Sequence, residues 1–288
     1  MPELPEVETI RRELHALLPL KIKEVIAGKY LDTFLDPKGL IKSLANSVLF
    51  DLERKGKYLF WHVHLSSKNK NTKYLLSHLG MSGRWLLHSD IAHLAAHTHL
   101  TLSLIPVSPA DPTQLPLPIY LSYIDPRRFG KIALLSAQEF LIIKNNLGID
   151  ALSTELTTEY LSTIIEKYPR RSIKKILLDQ HLIAGIGNYL ASETLARAGI
   201  HPLRNGKDIK AVEIPKLKTA LFRALTVSLR RQGVSFDGAY KNTHGEEGSA
   251  LNKLVVFRQE YCGICKVNKV VKIFQDGRGS YFCPHCQK

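Results

Sequence analysis

Removing Met1 from the opening Met1-Pro2-Glu3-Leu4-Pro5-Glu6-Val7-Glu8 leaves a secondary amine with a carboxylate on the next residue. An α-amino group has a pKa of about 7.7–8.0, so about a tenth of it is unprotonated at pH 7, far more than of a lysine. A secondary amine that adds to an aldehyde-level carbon gives only a cationic iminium, which acidifies the neighbouring C–H. Pro2 is therefore both nucleophile and electron sink. Glu3 suits the proton donor and acceptor, because opening a sugar ring needs its oxygen protonated and elimination needs a base. A plainer account also holds: Pro5, Glu6 and Glu8 start a helix running through Arg11, Arg12 and Leu14, with proline and acids in its first turn.

The second chemical signal lies at the other end. The four cysteines of the chain form Cys262-Gly-Ile-Cys265 and, seventeen residues on, Cys283-Pro-His-Cys286. Paired Cys-x-x-Cys knuckles at this separation match one tetrahedral zinc site on a β-hairpin ribbon. A disulfide or redox pair is the alternative, and His285 is a spare ligand that four thiolates make unnecessary. Asp276-Gly277-Arg278-Gly279-Ser280 forms the hairpin tip and presents one arginine to a groove or phosphate, or simply to solvent. Ala184-Gly185-Ile186-Gly187-Asn188 interrupts two helices. Its glycines permit tight turns, and Asn188 starts a helix whose exposed N–H groups favour a phosphate, unless the segment is only helix-turn-helix packing.

These residues need a scaffold. With 288 residues and 44% apolar content the chain can build two domains. No apolar run approaches the roughly 18 residues of a membrane span, and no basic-then-apolar leader opens the chain, so a soluble intracellular protein is expected. The net charge of +14 is uneven: residues 1–151 carry 18 Lys/Arg against 14 Asp/Glu, residues 152–288 carry 22 against 12. The second half is the expected polyanion grip, although solubility or an anionic membrane surface gives the same sum. Short strands are expected over 21–65 and 74–135, a polar turn over Ser66–Lys73, and an irregular proline-rich loop from Ser103 to Pro118. His88, His93, His97 and His99 have no acid or thiol cluster beside them, so they fit a solvated loop and strand better than a metal site. Helices are expected over 154–168, 172–183, 191–198 and 214–231, with a boundary near Asn145-Asn146-Leu147-Gly148.

Five motifs in order, Pro2 to Thr9, His78-Leu79-Gly80-Met81-Ser82-Gly83, Asp125-Pro126-Arg127-Arg128-Phe129-Gly130, Leu178-Asp179-Gln180 through Asn188, and the cysteine ribbon, together resemble formamidopyrimidine-DNA glycosylase across essentially the whole chain. The resemblance implies an α+β multidomain fold: a β-sandwich flanked by helices over 1–135, a linker over 136–151, a helix-two-turns-helix domain with a lesion loop over 152–254, and a zinc-ribbon hairpin over 255–288. It implies a monomeric, cytoplasmic, bacterial enzyme that acts on damaged double-stranded DNA and no membrane. Its chemistry would excise oxidised purines such as 8-oxoguanine and formamidopyrimidines and then cut the strand on both sides of the emptied sugar. By the same resemblance Glu6 holds the opened sugar, and Lys57, His78, Lys174, Asn188 and Arg278 contact the damaged strand and its phosphates. Lys57 alone is equally a strand-edge charge. A flipped-out base leaves a hole, which the resemblance fills with Met81, Arg127 and Phe129.

Some stretches depart from the family pattern. Val234-Ser235-Phe236-Asp237-Gly238-Ala239 and Gly248-Ser249-Ala250-Leu251 replace the usual lesion-loop residues, Arg258-Gln259 stands near the place of a glycine-arginine pair, and Gly279 takes the place of a hydroxyl residue. Lesion preference is thus less fixed than lyase chemistry. The competing readings are an endonuclease VIII-like glycosylase for oxidised pyrimidines, opposed by Met81, Arg127 and Phe129, and a non-catalytic damaged-DNA binder, opposed by Pro2, Glu3, Glu6 and Lys57.

Overall fold

The computed structural model describes residues 2–28, 37–65, 72–92, 94–107 and 119–288. Met1, His93, most of the polar turn and most of the proline-rich loop lie outside these residues. Two compact units emerge: Pro2 and residues 6–145 with 234–248, and residues 146–233 with 249–288 and Glu3–Pro5.

The first unit holds α1 (Leu4–His15) from Glu6 onward, followed by β1 (Leu20–Ala27), α2 (Pro37–Leu44), β2 (Val48–Lys55), β3 (Tyr58–His64), β4 (Thr72–His78), β5 (Arg84–His88), β6 (Thr98–Pro106), β7 (Ile119–Ile124), β8 (Lys131–Leu135) and α3 (Ala137–Asn146) short of its last residue. The eight strands form one sheet in the order β5-β7-β6-β1-β2-β3-β4-β8, antiparallel throughout. Trp61 on β3 and Trp85 on β5 meet edge to face with centroids 6.0 Å apart. Five strand spacings of about 4.8 Å would hold them roughly 24 Å apart on a flat sheet. The sheet therefore folds back on itself and closes the expected sandwich around one core. Val7, Ile10 and Leu14 of α1 and Leu40 and Leu44 of α2 enter that core at helical spacing. The strand reading of 21–65 missed α2, whose short apolar run resembles its β neighbours. Pro106, expected in the loop, closes β6 instead, at the strand end where a missing N–H is tolerated.

Glu8 does more than start α1. It accepts hydrogen bonds from Arg11, Arg12 and, from β2, Arg54. Burial opposes its charge, but the guanidinium groups of Arg11, Arg54 and Arg12 prevail and hold the carboxyl down to about 2.

The second unit contains β9 (Ile149–Asp150), α4 (Thr158–Lys167), α5 (Ile173–Leu178), β10 (Ile183–Ala184), α6 (Asn188–Ala198), α7 (Ile214–Leu229) and the ribbon strands β11 (Val271–Gln275) and β12 (Arg278–Phe282). Thr157 and Ser172 cap α4 and α5 through their hydroxyls. The helix expected over 172–183 stops at Leu178 because Asp179 and Gln180 turn the chain. The Gln180 side chain donates to the Leu178 and Ile186 carbonyls and accepts from the Gly185 N–H, so one amide stitches both turns. The segment expected as a linker holds α3 and β9, the latter pairing in parallel with β10. Residues 234–248, expected with the helical domain, cluster instead with the sheet: the Leu87 N–H donates to Thr243 O, and Thr243 donates to Glu13.

Candidate active site and metal centre

In the second unit, Glu3 is 2% exposed and its carboxylate accepts backbone N–H groups of Gly187 at 2.8 Å, Tyr189 at 2.9 Å and Leu190 at 3.2 Å. These are the orphan donors at the start of α6, where the helix dipole favours an anion. The anion found there is the protein's own carboxylate, in the place where a phosphate was expected. Gly187 is required for this fit, since a Cβ on it would lie 2.2 Å from the Glu3 carboxyl carbon. Leu4 anchors the same segment through its N–H to Gly185 O at 3.1 Å.

Lys174 on α5 is 2% exposed, and its ammonium donates to Ser280 Oγ at 2.6 Å and Gly279 O at 3.2 Å. Burial pushes its pKa down to about 8, with the Glu3 charge pulling it up and Arg278 pushing it further down. Asn188 also donates to Gly279 O, at 2.9 Å. Both side chains thus meet at the carbonyl of a residue that departs from the family pattern. Arg278 is exposed and begins β12 just after Asp276 and Gly277, whose φ values of 49° and 72° make the two-residue turn that suits a β-hairpin.

The four cysteines come together as the spacing predicts. Cys262 Sγ lies 4.0 Å from Cys286 Sγ, Cys265 Sγ lies 3.9 Å from Cys283 Sγ, and all four lie within 4.8 Å of one another. A tetrahedral zinc with bonds of about 2.3 Å needs sulfurs roughly 3.8 Å apart. The donor set therefore fits one such ion, whereas a disulfide needs about 2.05 Å. The backbone N–H of Ile264 and the side-chain amide of Asn268 donate to Cys262 and Cys265 sulfur. His285 is not part of the cluster. Sequence reasoning missed the anchor of this ribbon: buried Glu193 on α6 accepts the backbone N–H groups of Val255, Val256 and Phe257 at 2.8–3.0 Å. Nothing local to Glu193 signals it, because its partners lie more than sixty residues away.

In the first unit, Pro2 is buried, and so is Glu6, which accepts the Val234 N–H at 2.7 Å. Lys57 follows Gly56 in the turn between β2 and β3. Register places its neighbour Tyr58 opposite His78 of β4, and His78 opposite Lys131 of β8. Burial and the charges of Lys57 and Lys131 hold the His78 pKa down to about 4, so its ring is neutral at pH 7. Its Nδ1 accepts the Gly80 N–H at 3.2 Å, which leaves Nε2 as the donor.

Met81, Arg127 and Phe129 lie on two turns that Asp125 binds together. Asp125 accepts from Ser82 Oγ at 2.6 Å, from Gly130 N–H at 2.7 Å and from Arg127 N–H at 3.3 Å. Gly80, at φ +58°, lies so close to Phe129 that a Cβ would come within 2.4 Å of its backbone carbon. The Arg127 guanidinium stands 4.9 Å over the Phe129 ring, and both side chains are exposed. The histidines have hydrogen-bonding roles of their own: His88 with Ser122 Oγ and His99 with Asp125 O.

The formamidopyrimidine-DNA glycosylase N-terminal domain matches residues 1–132, and the formamidopyrimidine-DNA glycosylase H2TH domain matches residues 147–238. The chain is 34% identical over 295 residues to the formamidopyrimidine-DNA glycosylase of Bacillus cereus, covering 100% of this chain and 99% of that one. It is 33% identical over 290 residues to that of Wolbachia pipientis, covering all of both. Lactococcus lactis Fpg solved with abasic-site DNA is 30% identical, with 99% of each chain covered and a TM-score of 0.85. The wild-type Lactococcus lactis enzyme solved with an oxidised-pyrimidine DNA is likewise 30% identical, with full coverage of both and a TM-score of 0.84. No helix among the described residues is long and apolar enough to cross a membrane. The chain belongs to the formamidopyrimidine-DNA glycosylase family.

Proposed function

We propose that this chain is a bifunctional DNA glycosylase and abasic-site lyase of base excision repair, which removes oxidised purines from duplex DNA. The carrying observation is the buried Glu3 carboxylate, gripped by three N–H groups of α6 beside the amine-bearing Pro2. Such a grip fixes a carboxyl group for proton transfer to and from one place. In the proposed sequence the Pro2 nitrogen bonds to C1′, the base leaves with the glycosidic electron pair and takes a proton from water, and the Glu3 carboxylate accepts the Pro2 N–H proton and passes it to the ring oxygen as the sugar opens to the iminium. The resulting iminium acidifies C2′. Loss of that proton expels the 3′ phosphate, a second elimination expels the 5′ phosphate, and hydrolysis frees the amine.

Family membership, the exposed Arg127–Phe129 pair beside Met81 and the basic second half support a flipped purine in duplex DNA. Lys57, Asn188, Lys174, Arg278 and neutral His78 are proposed to bind the phosphates around the everted sugar, and Glu6 to hold the opened sugar. Zinc is the proposed ion of the four thiolates, where it would order a ribbon with little core of its own. The proposed place of action is the bacterial nucleoid in the cytoplasm.

Borohydride added during turnover on abasic DNA tests this reading. It should trap a covalent complex mapped to Pro2, and Pro2→Gly should suppress trapping far more than binding. A crosslink on a lysine would overturn the Pro2 assignment, and no crosslink with intact DNA binding would leave only a damaged-DNA binder. Faster release of thymine glycol than of 8-oxoguanine would replace the purine preference with the pyrimidine one.

A further inference from the structure

We infer that the second unit carries a duplex-gripping track beyond the lesion contacts, along the turn joining α4 to α5, with Lys167 and Arg170 as its outer cations. This rests on the reading of the chain as a DNA enzyme. Lys174 and Arg278 line a small cleft of about 220 Å³ together with Arg171 and Lys175. A larger groove of about 690 Å³ shares Arg171, Lys175, Gln275 and Asp276 with that cleft and adds Lys167 and Arg170. The two are therefore continuous.

The floor of the groove is ordered. The Arg171 guanidinium lies 4.2 Å over the Tyr168 ring and pairs with Asp179 at 2.8 Å. Lys175 lies 3.5 Å from Asp276, and Gln275 donates to Ser172 Oγ at 2.7 Å, which ties the ribbon tip to the start of α5. These contacts compensate Arg171 and Lys175. Lys167 and Arg170 are exposed and have no acidic partner among the described residues. Like charges crowded beside a basic cleft repel one another unless an anion enters. A phosphate backbone leaving Lys174 and Arg278 would meet Lys167 and Arg170 next, and its counterion release rewards such contacts without base specificity.

The test uses the full chain and duplexes carrying one tetrahydrofuran abasic analogue: a short duplex ending just beyond the lesion, and two longer ones, each extended on a single side. Lys167→Ala/Arg170→Ala should bind the short duplex as the wild type does. On one of the extended duplexes it should lose about 1.8 units of the log–log salt slope, about 0.9 for each phosphate. Arg170→Glu should weaken binding there several-fold more than Arg170→Ala, and Lys167→Arg, which keeps the cation, should bind as the wild type does. Equal losses on short and long duplexes, or no loss on any, would overturn the track. Competition by polyglutamate that the double substitution abolishes, with DNA binding unchanged, would make the groove a protein-docking surface instead. Lesion-dependent binding of the short duplex and trapping through Pro2 report on the glycosylase reading separately, since neither involves Lys167 or Arg170.

Discussion

Gly187→Ala isolates the cradle of Glu3 without touching a reacting group. The Gly187 backbone, at φ −120° and ψ −163°, is open to any residue, and alanine keeps its N–H. What alanine removes is room. Its Cβ would lie 2.2 Å from the Glu3 carboxyl carbon, where ordinary contact begins at 3.4 Å, so the carboxylate must retreat by about 1.2 Å. A retreat of that size breaks at least one of the bonds from Tyr189 and Leu190, now 2.9 and 3.2 Å long. One lost hydrogen bond to a charged group costs about 1.5–3 kcal/mol of stability. Misplacing a reacting group by about 1 Å costs roughly a hundredfold in rate, equivalent to about 2.7 kcal/mol of barrier. Single-turnover release of 8-oxoguanine should therefore slow about a hundredfold, while cutting at preformed abasic sites, which expels no base, falls less. In a Glu3→Gln background the same glycine substitution should cost little more, because the group it displaces is already disabled. Base release within about threefold of wild type, or an undiminished loss in the Glu3→Gln background, would refute the cradle as the means of positioning Glu3.

Three further outcomes follow from the geometry. Cys283→Ser should abolish binding of one metal ion per chain, measured by metal analysis, and weaken DNA binding while the circular dichroism of the sheet persists; metal retained at full stoichiometry would exclude the four-thiolate site. Lys174, with a folded pKa of about 8 against 10.5 for the free side chain, is a cation at pH 7 and loses that charge as pH rises through about 8. Wild-type affinity for DNA should thus fall between pH 7 and 9 more than that of Lys174→Arg. The free protein should gain stability from this group over the same rise, since the unfolded chain holds the proton longer; identical pH profiles would remove Lys174 from the phosphate contacts. Arg127→Ala should erase discrimination for cytosine opposite the lesion, read as the ratio of excision rates across four opposite bases, and an unchanged ranking would place that recognition elsewhere.

What the sequence made legible was chemistry encoded at short range. The Cys-x-x-Cys spacing places two ligands on one knuckle, and Asp276-Gly277 permits the positive φ of a two-residue hairpin turn. The helical periodicity of α1, α4 and α7 is similarly local. Glu3 and its three amides lie 184 to 187 residues apart in the chain, so no window could pair them. Gly187 was legible as a residue permitting close approach, but the approaching group was not. Lys174 aligned with the family without revealing that it is buried against Ser280. Residues 234–248 carry no strong periodicity, and their place beside the sheet follows from Val234 meeting Glu6 and Thr243 meeting Leu87 and Glu13.

Helix α6 shows where this chain can tolerate changes of length. Eight of its eleven residues are buried, its first amides hold Glu3, Asn188 reaches Gly279, and Glu193 gathers Val255, Val256 and Phe257. An inserted residue between Asn188 and Glu193 would turn everything after it by about 100° and advance it by about 1.5 Å. Glu193 would then face away from all three amides, and of its present partners only Arg197, one turn on in the same helix, would stay with it. Insertions and deletions in descendants of this chain should therefore be absent from α6, which drifts in sequence only at fixed length.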